Sequence, residues 1–223
     1  MTELEAIKAR RSIRKYKEGP IPQEQVLLLQ EKIRELNEIS GLHMQLVLDH
    51  PETFRHFLVH YGGFRNAQHY VALVGKANEE LEKRCGYFGE QLVLFAQTLG
   101  LGTCWIGGTF SKKKTVFSVD EGEKLCLIIS IGVPDEEGHV HKSKPFDAVA
   151  ETAGGMPKWF RNGVEAALLA PTAINQQKFR FELEENGQVR IVMGKGPFIH
   201  VDEGILQYHF EAGAGKEYVS WID

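Results

Sequence analysis

The chain has 223 residues, of which 43% are hydrophobic and 25% are charged, and this composition excludes a disordered or fibrous protein. Its 26 lysines and arginines against 30 acidic residues give a net charge of −4, which offers no overall attraction to nucleic acid or to an anionic membrane. No apolar run approaches the roughly 20 residues of a membrane helix, and the first residues lack the pattern of a secretory signal. We therefore expect a cytoplasmic, soluble protein that binds neither nucleic acid nor membrane, with one large domain or two small interlocked ones.

Helices and strands alternate in the first half of the chain. Thr2 and Glu5 have the spacing of a capping box, which predicts a short first helix that ends near residues 10–14. Hydrophobic periodicity then predicts, in chain order, a helix over 26–37, a strand over 42–48, a helix over 51–60, a strand over 70–74, a long helix from residues 79–82 to Gly100, and a strand over 125–133. The last strand is apolar along nearly its whole length, which is typical of a strand covered on both faces.

The pattern restarts after a polar stretch over 139–155, which is the best candidate for a linker. An amphipathic helix over 157–170 precedes two strands, over 179–183 and 189–193. Asn186-Gly187 lies between those strands and is a strong signal for a hairpin turn.

A weak internal repeat relates the two halves. Pro22 and Leu48 recur as Pro157 and Leu183 at one constant offset. The sequence therefore predicts an α+β fold that is internally duplicated, with a central, mostly antiparallel sheet sandwiched by helices. We expect a first half over 1–150 and a shortened second half over 151–223.

A basic run, R-R-S-I-R-K-Y-K over residues 10–17, places five cations and a serine directly after the first helix. Arginine can hold a phosphate through two hydrogen bonds, and a serine hydroxyl with backbone N–H groups can complete such a site. Taken alone, the run favours a solvated basic turn, because charge runs usually lie on the surface.

A second segment, A-P-T-A-I-N-Q-Q over residues 170–177, interrupts a helix and leads into a strand. The hydroxyl of Thr172 and the amides of Asn175 and Gln177 can form hydrogen bonds with the edge of a flat heteroaromatic ring. A capped turn, in which Pro171 ends the helix, is the alternative interpretation of this segment alone.

The third segment, G-L-G-T-C-W-I-G-G over residues 100–108, has four glycines among nine residues. Glycine lets the backbone approach a ligand closely and present bare N–H groups. A helix C-cap accounts for Gly100 and Gly102 but leaves Gly107 and Gly108 unexplained.

Together these three segments resemble the FMN-dependent nitroreductase family, as does a later K-x-K-P stretch over residues 142–145. The resemblance implies that the first segment and the K-x-K-P lysines hold the flavin phosphate, that the third lies against the flavin ring with the N–H of Gly107 directed at N5, and that the second lines the ribityl chain and the ring. The cofactor-binding residues so implied are Arg10, Arg11, Ser12, Arg14, Trp105, Ile106, Gly107, Gly108, Lys142, Lys144, Pro171, Thr172, Ala173, Asn175 and Gln177.

One departure from the family pattern is informative. In ordinary members the second segment comes from the partner subunit and follows the first by a few tens of residues, whereas here it lies in the second half of the chain. This arrangement resembles the subfamily in which one chain imitates the usual dimer. We therefore expect either a monomeric pseudo-dimer with one complete flavin site or a site shared across a homodimer.

The resemblance implies an FMN-dependent NAD(P)H oxidoreductase. Hydride would pass from the nicotinamide through flavin N5 to a nitroaromatic, a quinone or a similar electron-poor small molecule, without a catalytic side chain. Two alternatives stay open: a flavin or small-molecule binding module without turnover, and a nucleic-acid binder based on the basic run, which the net charge disfavours.

Histidine and cysteine spacing predicts no metal site. His56 with His60, and His139 with His141, are close in sequence, but neither pair belongs to an H-E-x-x-H motif, and the three cysteines form no C-x-x-C pair. The aromatic side chains that either pack in the core or cover an aromatic substrate are Tyr61, Phe64, Tyr70, Tyr87 and Phe88.

Overall fold

The computed structural model describes residues 1–55, 63–140 and 142–222. Its helices are α1 (Glu3–Ala9), α2 (Gln23–Ser40), α3 (Leu81–Thr98), α4 (Lys158–Ala167) and α5 (Ile199–Ala214). Its strands are β1 (Gln45–Val47), β2 (Tyr70–Lys76), β3 (Gly102–Ile106), β4 (Glu123–Gly132), β5 (Ala150–Thr152), β6 (Phe179–Leu183) and β7 (Val189–Met193). Short 3-10 turns occupy Pro51–Phe54, Phe146–Ala148, Ala173–Asn175 and Lys216–Tyr218.

The first half is built on a four-stranded sheet with the order β1-β2-β4-β3, in which all neighbours are antiparallel. Alternate residues of β4 pack into different hydrophobic clusters, with Leu127 and Ile129 in one and Ile128 in the other. Successive side chains of a strand point to opposite faces, so both faces of this sheet are covered, as the apolar run predicts.

A three-stranded sheet with the order β5-β6-β7 forms the second half. β6 and β7 form an antiparallel hairpin with Gly187 at φ 82°, which confirms the predicted strands and turn. β5 was not predicted, and it pairs in parallel with β6. It lies inside the polar stretch over 139–155, and the boundary drawn between residues 150 and 151 falls within it.

Helices α3 and α5 join the two halves and pack closely against each other. The Cβ of an alanine at position 86 would lie 2.1 Å from the carbonyl oxygen of Val201, and one at position 204 would lie 2.0 Å from that of Lys83. One large hydrophobic cluster draws residues from both halves, including Leu92 of α3 and Phe210 of α5. The internal duplication stays a prediction.

The predicted α+β class, the capping box of α1 and the long helix α3 are confirmed. The helix predicted over 51–60 is a 3-10 turn over Pro51–Phe54, and its remaining positions lie mostly outside the described residues. No helix in the described ranges is long and apolar enough to span a membrane.

Candidate functional site

The basic run lies beside the glycine-rich segment. Ile13 donates its backbone N–H to the carbonyl of Thr103 at 2.9 Å, and Ser12 forms a parallel bridge with the same residue of β3. Tyr16 holds the basic run in place, because its buried hydroxyl donates to the carbonyl of Ile13 at 2.7 Å and lies 2.8 Å from the hydroxyl of Ser130. Two segments that are about 90 positions apart in sequence therefore adjoin.

Arg10 does not lie on the surface, as a solvated basic turn would place it. Its side chain is only 4% exposed, and its Nε is 3.8 Å from Oε1 of the buried Glu90. Burial lowers the pKa of Arg10, and the charge of Glu90 opposes that shift. Within the described part of the chain Nε has no hydrogen-bond partner, so this buried donor remains available.

The other residues of the run differ in their surroundings. Arg11 donates from Nη1 to the carbonyls of Lys8 and Arg10, which turns its side chain back along α1. Arg14 is exposed, and its backbone N–H donates to Glu136 at 2.9 Å while its guanidinium forms no ion pair among the described residues. Ser12 lies beside the thiol of Cys104, whose pKa is raised by burial.

Trp105 lies near the end of β3 and Gly107 directly follows this strand, and both are in a packed environment. The Trp105 indole donates from Nε1 to Oε2 of Glu90 at 2.9 Å, while Ile106 is buried and Gly108 is exposed. Gly107 lies against the ring of Phe198, because a Cβ at position 107 would lie 2.3 Å from Phe198 Cζ. Only glycine permits this approach without a shift of the ring.

The A-P-T-A-I-N-Q-Q segment contacts the K-x-K-P stretch. Gln177 is only 5% exposed, and its amide donates to the carbonyl of Lys142 at 2.7 Å and accepts from the backbone N–H of Lys144 at 2.8 Å. Asn175 donates to the same carbonyl of Lys142 at 3.3 Å. The ammonium groups of both lysines are exposed and form no ion pair in the described ranges.

The backbone of this segment is strained. Ile174, Asn175 and Gln177 have φ values of 49°, 54° and 43°, and for a β-branched isoleucine that value is an outlier. Asp202 of α5 holds the loop by accepting from the N–H of Ala173 at 2.9 Å and from Nε2 of Gln176 at 2.7 Å. Strain of this kind persists only where the surroundings enforce it, and it concentrates at functional sites.

The two halves meet through Gln176 and Phe198. Gln176 donates from Nε2 to the carbonyl of Pro197 at 3.0 Å, and the next residue, Phe198, packs on Gly107. Contacts therefore join all four sequence segments within one polypeptide. Buried Oε1 of Gln176, like Nε of Arg10, has no hydrogen-bond partner in the described part of the chain.

The family of the chain follows from a comparison with family models. The model described as "Putative TM nitroreductase" matches residues 3–214. The chain belongs to this family. No match is found among curated proteins.

Solved structures share the nitroreductase fold of the chain. A Thermotoga maritima "putative nitroreductase" superposes with a TM-score of 0.68 at 22% identity, over 97% of this chain and 85% of that one. A Desulfovibrio desulfuricans "putative nitroreductase in complex with fmn" gives a TM-score of 0.54 at 19% identity, over 67% and 95% of the two chains. A Parabacteroides distasonis "Putative NADH dehydrogenase/NAD(P)H nitroreductase" gives 0.52 at 17% identity, over 66% and 95%. The predicted fold is thereby confirmed.

A cleft of about 540 Å³ lies elsewhere on this nitroreductase-family chain, between α3 and α5, and none of its lining residues belongs to the four segments. Tyr87 and Phe88 line it, whereas Tyr70 is fully buried and Phe64 packs against the second hydrophobic cluster. Tyr61 lies outside the described residues. The predicted aromatic group is therefore divided between the core and a surface cleft.

The prediction that the histidine pairs form no metal site stays untested, because His56, His60 and His141 lie outside the described ranges. Elsewhere in the described chain, one group of ligand-type side chains is close enough to hold an ion: His43, Asp120 and Glu123. His43 already lies 2.9 Å from Glu123, and none of the three belongs to the four segments. Cys85 and Cys104 are buried free thiols.

Sequence reasoning missed four residues that support the site: Glu90, Gln176, Phe198 and Asp202. Glu90 and Asp202 lie on helices where acidic residues ordinarily face solvent, so no local pattern marks them. Gln176 lies in the A-P-T-A-I-N-Q-Q segment, between Asn175 and Gln177, whose amides were predicted to contact the flavin. Phe198 adopts φ 53° just before α5, which no sequence signal predicts.

Proposed function

We propose that the chain binds FMN and acts as an NAD(P)H-dependent oxidoreductase. The observation that carries this proposal is the buried Nε of Arg10, which has no hydrogen-bond partner among the described residues and lies in the segment that family resemblance assigns to the flavin phosphate. A buried donor without an acceptor costs about 1–3 kcal/mol, so its retention favours an absent anionic partner. The complex with FMN reported for the Desulfovibrio desulfuricans relative supports the choice of cofactor.

The surrounding residues fit that cofactor. The exposed cations of Arg14, Lys142 and Lys144 form no ion pairs among the described residues, so they are available to a phosphate or to the negative charge of a reduced ring. Asn175 offers an amide beside Lys142, and the hydroxyl of Thr172 lies next to the backbone N–H of Gln177. Since the connecting contacts run within one polypeptide, we propose that one chain holds one complete site.

Bound FMN would supply the hydride chemistry, and the protein would supply binding, orientation and exclusion of water. Gly107 packs against the ring of Phe198, so no side chain fits at that position. We therefore expect Gly107 to bring the backbone close to the flavin ring. A nicotinamide donor and an electron-poor aromatic or quinone acceptor would use the same face in turn. Bulk solvent would supply the proton that such an acceptor takes up with the hydride, and no side chain is assigned to that transfer.

Visible absorption of the purified protein tests the proposal. The protein is incubated with FMN, passed through gel filtration, and then treated anaerobically with NADH or NADPH. We expect a retained flavin band that bleaches with at least one of the two donors. A retained band that bleaches with neither would point to a binding module without turnover, and loss of all flavin would overturn the proposal.

A further inference from the structure

Arg10, Glu90 and His209 form an ionic cluster in the interior, between α1, α3 and α5. Glu90 and His209 are fully buried, and Arg10 is 4% exposed. His209 Nε2 lies 2.9 Å from Glu90 Oε1, and Arg10 Nε lies 3.8 Å from the same oxygen. The other carboxylate oxygen of Glu90 accepts from the indole of Trp105.

Hydrogen-bond geometry holds His209 and Glu90 in place. Nδ1 of His209 is 3.1 Å from the carbonyl oxygen of Ala166, and Nε2 is 2.9 Å from Oε1 of Glu90. Both ring nitrogens therefore face oxygen atoms, which fixes the orientation of the imidazole and the position of the carboxylate beside it.

This cluster connects both segments that the proposed flavin site requires on the first half. Arg10 opens the basic run, and Trp105 precedes Gly107 in the glycine-rich segment. Glu90 contacts both side chains, through an ion pair with Arg10 and a hydrogen bond from Trp105. Buried ions rarely add stability compared with apolar residues of similar size, so their presence here calls for another role.

We propose that Glu90, held in place by His209, is the positioning residue of the flavin site. Its carboxylate fixes the indole of Trp105, and it offsets the buried charge of Arg10 without occupying the Nε hydrogen of that arginine. At 3.8 Å the carboxylate forms no hydrogen bond with Nε, so this donor stays free for an anion. This inference rests on the proposed function, because the anion is the FMN phosphate.

The free protein provides the first test. In ¹⁵N-labelled protein, the indole N–H resonance of Trp105 is identified by its absence in Trp105→Phe. A charge-assisted hydrogen bond is about twice as strong as a neutral one, so Glu90→Gln should shift this resonance upfield and speed its exchange about tenfold. A resonance that is unchanged in Glu90→Gln would overturn the role of Glu90.

A double-mutant cycle provides the second test. FMN affinity, measured by quenching of flavin fluorescence, and the circular dichroism of bound flavin are compared for wild type, Glu90→Gln, Trp105→Phe and the double variant. If Glu90 acts through Trp105, each single variant should bind FMN several-fold more weakly than wild type. The double variant should then bind FMN only slightly more weakly than the single variant with the lower affinity. Fully additive losses, or variants identical to wild type, would overturn the inference.

Two controls separate this inference from the function on which it rests. His69→Gln replaces another buried histidine, which lies outside the cluster, and should leave the Trp105 resonance and the flavin spectrum unchanged. If Glu90→Gln does not fold, Trp105→Phe and the exchange rate of the wild-type indole proton decide the question, since rapid exchange contradicts a buried bond to Glu90. If the wild-type protein binds no FMN, the proposed function is overturned. If the wild-type protein binds FMN and the variants bind it equally well, only the role of Glu90 is overturned.

Discussion

Single residues decide whether the flavin segments keep their conformation, and Asp202 is an instructive case. Burial raises its pKa from 3.8 to about 6, although hydrogen bonds from Gln176 and Ala173 oppose the shift. Its folded pKa therefore exceeds its unfolded pKa, so the folded state binds the extra proton and stability from this group is lost as pH rises from about 4 to about 6.

Replacing Asp202 by Asn removes this pH dependence. The amide of Asn keeps an acceptor for the N–H of Ala173, and the unpaired Oε1 of Gln176 can turn to accept from the new NH₂ group. Relative to wild type, the unfolding free energy of Asp202→Asn should therefore rise between pH 4 and pH 7, as measured by urea denaturation. A difference that is constant with pH would contradict the assignment.

Gly107 offers a second test at this scale. In Gly107→Ala the new methyl group collides with Phe198, and overpacking of this kind costs about 1–3 kcal/mol. The loss should be smaller in the Phe198→Ala background, which thermal unfolding of the four proteins can establish. Gly108→Ala is the matched control, because a Cβ there meets no described atom within 4 Å. Equal losses in both backgrounds would refute the contact.

A third test concerns the charges assigned to the phosphate. Lys142→Ala and Lys144→Ala should each weaken FMN binding about tenfold or more, because a hydrogen bond to a charged group contributes about 1.5–3 kcal/mol. Riboflavin, which lacks the phosphate, should bind these variants and wild type alike. Lys158→Ala, an exposed lysine at the start of α4, is the control of equal charge. Equal weakening of FMN and riboflavin binding would contradict the phosphate assignment.

Sequence indicated Arg10, Asn175 and Gln177 but not their surroundings. Arg10 stands in a basic run typical of solvent, and only the fold brings Glu90 beside it, because α3 lies some 80 positions further along the chain. Gln177 was expected to face a ligand, yet its amide binds the backbone of Lys142 and Lys144. Residue types therefore identified the segments, while long-range contacts determined what each side chain touches.

At the scale of elements, the crossing of α3 and α5 is the most constrained contact. Gly204→Ala would place a methyl group 2.0 Å from the backbone carbonyl of Lys83, which cannot rotate away. Overpacking costs about 1–3 kcal/mol, and the gain in helix propensity returns only about 1 kcal/mol. Urea unfolding should therefore show net destabilisation, whereas Gly154→Ala, with nothing described within 4 Å, should be neutral. Unchanged stability of Gly204→Ala would refute the close approach.

Elements with strong local signals were predicted, and those that depend on partners were not. Helices α2 and α3 follow from their periodicity, and the β6-β7 hairpin follows from Asn186-Gly187. β5 has only three residues in a polar stretch, and it is a strand because β6 lies beside it. No local pattern can report such pairing.

In the molecule as a whole, we propose that one chain contains everything needed to hold one flavin. The basic run and the glycine-rich segment come from the first half, and the amide-rich segment comes from the second. Phe198 and Pro197 connect them within the same polypeptide.

Gel filtration with light scattering and simultaneous absorption at the flavin band tests whether one chain holds one complete site. After incubation with FMN, we expect a particle of 25.2 kDa, the mass of one chain, that carries one flavin. A particle of twice that mass that loses its flavin on dissociation would contradict the single-chain site. A monomer that elutes without flavin would contradict the flavin site itself.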